Sequence, residues 1–281
     1  MNHSLLSRFQ GALIGGNVIY ISSDRVAPNQ LIIDTTPALI SGLRNLTDGN
    51  RFVNQDWAIN IKIDITNPSQ SMVAMLPLML FFHDDRVRLR EILIEVSHRW
   101  ELDWETCSSA IAIGYIISRS LTESFDHQTI ITQLLDEMNN LHPLLFQSLS
   151  TIAQLLEQPS SLHQITQQLT TTHPIITPTI LSIYCCLSAP ADFGLATRRA
   201  YHTKNRSPLT CALTGILAGA QNSLTGIPLN GELATQERVE WLSAAASLLN
   251  AWAGVHHNYS IQSTATDPRS IASPRVMQRR N

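Results

Sequence analysis

Residues 188–228, SAPADFGLATRRAYHTKNRSPLTCALTGILAGAQNSLTGIP, decide the fold of this chain. Small and apolar side chains dominate from Ala212 to Ala220 and predict a small-residue helix. Ser207 is a favourable N-cap residue and Pro208 suits the first helical position, so we expect the helix to begin cleanly there. We predict that it spans residues 207–224 and lies buried at the centre of the protein.

The helical period extends from this stretch over most of the chain. Asp103 can cap a helix over residues 104–121, where apolar residues return every three or four positions. This helix is also expected to be central and buried on a broad face. Further helices are predicted at 4–15, 69–82, 86–98, 127–138, 142–157, 161–170 and 176–187.

A last helix is predicted over residues 237–253, because apolar residues recur there at helical spacing while Glu237, Arg238 and Glu240 keep to the other side. We expect its inward residues to be Val239, Leu242, Ala246, Leu249 and Trp252.

Strand-like patterns are rare in the sequence. Residues 30–33 and 58–65 alone have that character, and they are too few to build a sheet-based domain. The turn-rich stretch 22–68 is interpreted as a long irregular excursion. Residues 262–281 are Ser, Thr, Pro and Arg with scarcely any apolar content, which predicts a disordered tail. The sequence therefore predicts one all-α domain over residues 1–261.

Composition limits the classes of partner. The chain has 281 residues, of which 44% are hydrophobic and 15% charged, with a net charge of -3. This charge gives no general attraction to nucleic acid or to acidic membrane surfaces. The apolar run 72–82 is too short to span a bilayer, and 11–21 lacks a convincing cleavage site. We expect a cytoplasmic protein with no nucleic-acid or membrane partner.

Other groups of polar residues have ordinary structural interpretations. The four cysteines lack the spacing of a zinc site, so buried thiols are expected. Asp84 and Asp85 precede a run of arginines, which favours a helix cap over a catalytic pair. No third group can be assigned to a triad with Ser97 and His98, which favours a structural histidine.

Three segments in order resemble the ADP-ribosylglycohydrolase family. Residues 8–15, RFQGALIG, are similar to the opening helix of that family. Residues 72–121 are similar to its Met-x-x-x-Pro-Leu stretch, Ser/Thr-His pair and long Ala-rich helix. Residues 212–228 are similar to its late helix and Gly-x-x-x-x-Ile-Pro exit. The resemblance implies a compact, all-α, multi-helix orthogonal bundle.

The resemblance also implies two divalent cations, magnesium in active relatives, held by a Thr-Asp-Asp-Thr loop and an Asp-Thr-Asp run. Such cations require several carboxylates. In this chain Ile19-Tyr20 stands where the family has a Gly-Asp pair, and residues 206–208 stand over the late acidic run. Residues 46–50 keep at most one of the two acids of the first loop, and an ordinary turn explains Thr47-Asp48-Gly49 equally well. We therefore predict no metal cofactor.

The altered start of the late helix favours anions over cations. Its first-turn amides are unpaired, the helix dipole is positive there, and Arg206 precedes it. The alternative is a helix start that Ser207 caps and that binds no ligand. The predicted ligand-binding residues are Thr47, Asp48, Arg206 and Ser207, with no catalytic residue.

These observations lead to three functional hypotheses. The first is a family member that has lost dinuclear-metal hydrolysis and acts as a module binding an ADP-ribose-like or other anionic small molecule, or a protein partner. The second is an active hydrolase of ADP-ribosyl N- or O-glycosidic bonds with an atypical set of acids. The third is a helical scaffold within a larger complex.

Overall fold

All regular structure is helical in the residues described by the computed structural model, which are 3–17, 67–122, 125–138, 142–157, 162–169, 173–203, 207–228 and 235–255. The predicted all-α class is thereby confirmed. The helices are α1 (Leu5–Asn17), α2 (Pro68–Ala74), α3 (Leu76–Phe81), α4 (Arg86–Arg99), α5 (Trp104–Leu121), α6 (Ile130–Met138), α7 (Pro143–Leu156), α8 (Leu162–Gln168), α9 (Ile176–Leu187), α10 (Phe193–Tyr201), α11 (Pro208–Asn222) and α12 (Thr235–Trp252), with a short 3-10 turn at Leu224–Gly226.

Two helices form the centre of the bundle, as the sequence predicts. Every residue of α5 is buried except Trp104, Glu105 and Arg119. In α11 an unbroken buried run covers 212–220. A helix that is enclosed on nearly all sides needs apolar or small side chains around its whole circumference, which both sequences supply.

Four glycines bring α1 and α11 into backbone contact. A Cβ atom added to Gly11 would lie 2.2 Å from the carbonyl oxygen of Gly219, and one added to Gly15 would lie 2.2 Å from that of Gly215. Real Cβ atoms do not approach a carbonyl so closely, so only glycine fits at these positions. The pairing of Gly11 with Gly219 and Gly15 with Gly215 also makes the two helices antiparallel.

Three helices at the centre share one direction. The Arg8 guanidinium, near the start of α1, donates to the carbonyl of Ser120 near the end of α5. The Asn222 amide, at the end of α11, donates to the carbonyl of Pro190 just after α9, at 3.2 Å. Because α11 packs against both α5 and α9, the three helices begin at the same end of the bundle. Helix α1, antiparallel to α11, finishes there.

The predicted helix over 69–82 is divided into α2 and α3. The break falls at Met75, directly before Leu76 and Pro77. Proline has no backbone N–H and its ring clashes with the preceding turn, so the helix restarts with Pro77 in its first turn.

Helix α10 is absent from the sequence prediction and is present in the structure. Asp192 caps it by accepting a hydrogen bond from the Leu195 amide at 2.8 Å. Its buried residues Phe193, Ala196 and Ala200 follow helical spacing. Gly194 lowers intrinsic helix propensity near its start, and packing on the neighbouring helices overrides this preference.

The buried face of α12 agrees with the predicted one in part. Leu249 is buried as predicted, and Ala246 and Trp252 are partly buried. Val239 is 58% exposed, whereas Trp241 is 2% exposed. The prediction that Val239 points inward is therefore wrong, and Leu242 is only partly buried. Trp241 carries far more apolar area than Val239, so burying Trp241 gains more free energy. Helix α12 accordingly turns Trp241, Ala245, Leu248, Leu249 and Ala253 inward.

The remaining predictions about architecture fall into two groups. Asp85 and Asp103 cap α4 and α5, with oxygens 3.0 Å from the Arg88 amide and 2.7 Å from the Thr106 amide, as predicted. The excursion over 22–66, the strand-like runs within it, and the tail over 262–281 lie outside the described residues. In the described part of the chain, no helix is both long and apolar enough to cross a membrane.

Candidate functional site

The starts of α5, α9 and α11 define a common end of the bundle, which we call the amino end: residues 103–107, 175–179 and 207–211. A helix start carries unpaired N–H groups and the positive end of the helix dipole. Three parallel helices therefore place three such partial charges at the amino end. The carboxylates of Asp103 and Glu105 offset this charge at α5, whereas the first turns of α9 and α11 contain no acid. The starts of α9 and α11 are therefore the ones whose electrostatics suit a negatively charged ligand.

Caps distinguish the three helix starts. Asp103 caps α5 through the Thr106 amide. At α9 the Nδ1 atom of His173 accepts from the amides of Ile175 and Ile176, at 3.3 and 3.4 Å. The side chain of Ser207 makes no capping hydrogen bond to α11. Helix α11 is thus the one of the three whose start is left without a side-chain cap in the described residues.

Buried hydroxyl groups accompany these helix starts. Thr210, in the first turn of α11, is fully buried, and its Oγ1 atom has no hydrogen-bond partner among the described residues. Thr214, one turn later, instead donates to the Thr210 carbonyl at 2.7 Å. A buried hydroxyl without a partner costs about 1–3 kcal/mol. On α5 the hydroxyls of Thr106, Ser108 and Ser109 are likewise buried and unpartnered within the described ranges.

Of the four predicted ligand-binding residues, one lies in the described part of the chain. Ser207 is the partly buried N-cap residue of α11, as expected from the sequence. Thr47, Asp48 and Arg206 lie outside the described residues, so their position relative to Ser207 is a prediction. Thr210 was missed by sequence reasoning. Threonine in a small-residue helix is an ordinary residue, and only its burial without a partner singles it out.

The two-cation centre implied by the resemblance can be tested against the described residues. The first turn of α11 contains no acidic residue, and its side-chain oxygens are the hydroxyls of Ser207 and Thr210. Across the described ranges, no three His, Cys, Asp or Glu side chains are grouped so that they could hold a metal ion. Proteins usually hold magnesium through one or two carboxylates. The described residues at the start of α11 therefore do not fit such a centre.

Among the described residues, the start of α11 and its surroundings on α9 also lack a cysteine that is suited to act as a nucleophile. Cys211 follows Thr210 and is partly exposed, but desolvation raises its pKa to about 11. Burial raises the pKa of Cys185 on the neighbouring α9 to about 12. Since the thiolate is the reactive form, both cysteines are poor nucleophiles at neutral pH.

The other polar groups named in the sequence analysis have structural roles or lie at the surface. Asp85 caps α4, and Asp84 accepts a hydrogen bond from Nε1 of Trp252 at 3.0 Å. The capping interpretation is confirmed for Asp85. His98 is exposed near the end of α4, while Ser97 is buried. Neither pair forms part of the amino end.

Comparison with known proteins assigns the family. The sequence model of the ADP-ribosylglycohydrolase family matches residues 20–258, so the chain belongs to this family. No curated protein matches the sequence. A solved structure titled "ADP-ribosylglycohydrolase-related protein complex" is similar with a TM-score of 0.64 and 14% identity, over 88% of this chain and 99% of that chain. At this low identity, the structural likeness shows the fold alone.

Proposed function

We propose that this protein is an ADP-ribosylglycohydrolase family member that has lost dinuclear-metal hydrolysis and binds an anionic ligand at the start of α11. The observation that carries the proposal concerns the first turn of α11. Among the described residues it has no side-chain cap and no acid, and its buried Thr210 hydroxyl has no hydrogen-bond partner. Arg206 adds a positive charge next to it in the sequence. The unpaired amides and the arginine favour an anion and oppose a cation, and the hydroxyl of Thr210 can donate a hydrogen bond to an anion.

The loss of hydrolysis follows from the chemistry of the replaced residues. The family's late acidic run aligns with Arg206, Ser207 and Pro208, and none of these side chains is a carboxylate. Two divalent cations need several oxygen anions to hold them, position a water and polarise the ribosyl bond. A hydroxyl, a guanidinium and a proline ring supply none of these anions.

An ADP-ribose-like molecule is the ligand class that fits both the family and the altered site. Its diphosphate offers oxygens that accept hydrogen bonds from backbone amides, from a threonine hydroxyl and from a guanidinium. Charge-assisted hydrogen bonds of this kind contribute about 1.5–3 kcal/mol each. Three of them at the upper end of this range give about 9 kcal/mol, close to the roughly 8 kcal/mol that micromolar affinity requires.

The first test replaces Thr210 by valine, which keeps the shape of the side chain and removes its hydroxyl. If that hydroxyl forms a hydrogen bond only with the ligand, Thr210→Val is expected to stabilise the free protein by about 1 kcal/mol. The reason is that the variant removes a buried hydroxyl that has no partner among the described residues. The same variant should bind ADP-ribose several-fold more weakly. Denaturant titration and calorimetry measure the two effects.

Thr214→Val is the matched control for this test. It removes a hydroxyl that already has a partner in the Thr210 carbonyl. We expect it to lower stability by about 1 kcal/mol and to leave ADP-ribose affinity unchanged. Equal affinity of Thr210→Val and wild type would remove Thr210 from the site.

The second test reverses the charge of Arg206. Arg206→Glu is expected to weaken ADP-ribose binding by about 10- to 100-fold, the equivalent of one charge-assisted hydrogen bond. Arg88→Glu, at an exposed arginine on α4 with a side chain 49% exposed, is the control for a change of net charge. If neither wild type nor the variants bind ADP-ribose or phosphate in calorimetry, the scaffold hypothesis replaces the anion site.

An active ADP-ribosyl hydrolase is the second candidate function. It would need acids from the stretch 18–66, Asp48 among them, to compensate for those missing at α11. Incubation with magnesium or manganese and a peptide ADP-ribosylated on arginine or serine distinguishes the two functions. We expect no release of ADP-ribose, and release would establish the hydrolase instead.

A further inference from the structure

A buried histidine lies where three helices meet, away from the amino end. His83 follows α3 and is 2% exposed. Its ring meets the ring of Phe9 on α1 edge-on, with centroids 5.3 Å apart, and the ring of Trp252 on α12 at 4.9 Å. The imidazole therefore fills the space between the first and last described helices.

Hydrogen bonds fix this histidine and its neighbour. The Nδ1 atom of His83 is 2.8 Å from the carbonyl of Leu80, so Nδ1 carries the proton of the neutral ring. The hydroxyl of Ser118 on α5 donates to the backbone carbonyl of His83. Asp84 accepts from the indole Nε1 of Trp252 at 3.0 Å. His83 and Asp84 thus attach the end of α12 to the rest of the bundle.

Helix α12 is attached to the bundle at its side. Its main contacts in the described residues are with α1 and α3, whereas α5, α9 and α11 pack on one another. The central helices can therefore stay assembled when α12 separates. Separation would expose the apolar face that includes Trp241 and Leu248.

We propose that His83, Asp84 and Trp252 form an acid-sensitive latch that releases α12 when His83 takes up a second proton. The added proton lies on Nε2, on a ring enclosed by Phe9 and Trp252. The imidazolium attracts the Asp84 carboxylate, which is shared with the Trp252 indole. The charge on this enclosed ring is held away from water, and separation of α12 returns the ring to water, so protonation weakens the hold on the end of α12. The attraction of Asp84 opposes this effect in part.

The groups around His83 determine the sign of the effect. Among the described residues Asp84 is the charged group that faces it, while α1, α5 and α12 contribute Phe9, Ser118 and Trp252. Desolvation by burial lowers the pKa of His83 below its ordinary value of 6.5, although the Leu80 carbonyl and Asp84 oppose this change. A released His83 titrates at the ordinary value, so protons favour the released form.

The pH window follows from this linkage. Above the ordinary pKa of histidine both forms are neutral, and pH has no effect on release. Below it, the released form binds the proton first, and release gains up to about tenfold per pH unit. The gain ends at the lowered pKa of the latched form. The inference does not depend on the anion site.

Hydrogen exchange on the full-length protein tests the latch. We expect the amides of α12 to lose protection, corrected for intrinsic exchange, as the pH falls from about 7.5 to about 5. The amides of α5 serve as the internal reference and should keep their protection. Parallel loss of protection in α5 and α12 would mean global unfolding and would overturn the proposal.

Two variants assign the effect to His83. His83→Asn retains an N–H donor for the Leu80 carbonyl but cannot be charged, so protection of α12 should no longer depend on pH. Asp84→Asn keeps an oxygen for the Trp252 indole but removes the negative charge that raises the pKa of His83 in the latched form, so release of α12 on acidification should become larger. The double variant His256→Asn, His257→Asn changes the histidines after α12 and should behave as wild type. If this double variant removes the pH dependence, or His83→Asn retains it, the latch is wrong.

Discussion

Gly219→Ala is expected to destabilise the protein strongly, although alanine is the better helix former by about 1 kcal/mol. The new Cβ would lie 2.0 Å from the carbonyl oxygen of Gly11. Because that obstacle is backbone, the contact is relieved only when α1 and α11 move apart. Such overpacking typically costs about 1–3 kcal/mol, and we expect the upper part of this range in a urea titration.

Gly194→Ala provides the matched control. A Cβ at Gly194 would meet its nearest atom, an oxygen of Asp192, at 3.4 Å, which is an ordinary contact. The same substitution should therefore leave stability unchanged or raise it by up to about 1 kcal/mol. Equal stability of the two variants would show that α1 and α11 are not in backbone contact.

Phe193→Ala should cause the largest loss of stability among single truncations at α10. Phe193 is 1% exposed, and its ring reaches within 3.1 Å of the position that a Cβ on Gly15 would take. Removing the ring leaves a cavity beside the contact of α1 with α11, at a cost of about 3–5 kcal/mol. Urea denaturation followed by circular dichroism measures the loss.

Leu195 lies on the same helix and is 39% exposed. Leu195→Ala should change stability by no more than about 0.5 kcal/mol, as surface substitutions usually do. A comparable loss in both variants would indicate that α10 as a whole fails to form, rather than that Phe193 fills the interior.

Local chemistry made much of the fold predictable. The starts of α4 and α5 were predicted because aspartate caps precede apolar periodic runs, and the start of α11 because Ser207 and Pro208 suit the first positions. These signals act within one turn of the chain. The sequence therefore contains them in full.

Long-range packing decided what the sequence left open. The preference of α12 for Trp241 over Val239 depends on the space that α1 and α3 offer. Helix α10 forms in spite of Gly194 because Phe193 finds a buried position next to Gly15. The elements that pack against Trp241 and Phe193 are distant from them in the sequence. Local periodicity therefore predicted Val239 rather than Trp241 as an inward residue of α12, and it predicted no helix at α10.

The candidate site shows the same division. The resemblance places residues 206–208 over the family's late acidic run, and this expectation needs the sequence alone. The importance of Thr210 depends on whether its hydroxyl finds a partner after folding, and the neighbouring Thr214 shows that a threonine one turn away does. The sequence resemblance therefore pointed to the start of α11 as the candidate site, whereas burial pointed to the hydroxyl of Thr210.

The backbone contact between α1 and α11 also constrains the order of folding. Gly11 and Gly219 are about two hundred residues apart, so α1 emerges from the ribosome long before the helix that covers its glycines. Closing so long a loop is entropically unfavourable until other contacts have shortened it. We therefore expect α1 to dock late, onto helices that have already assembled. During synthesis the small-residue face of α1 stays uncovered until α11 has been completed.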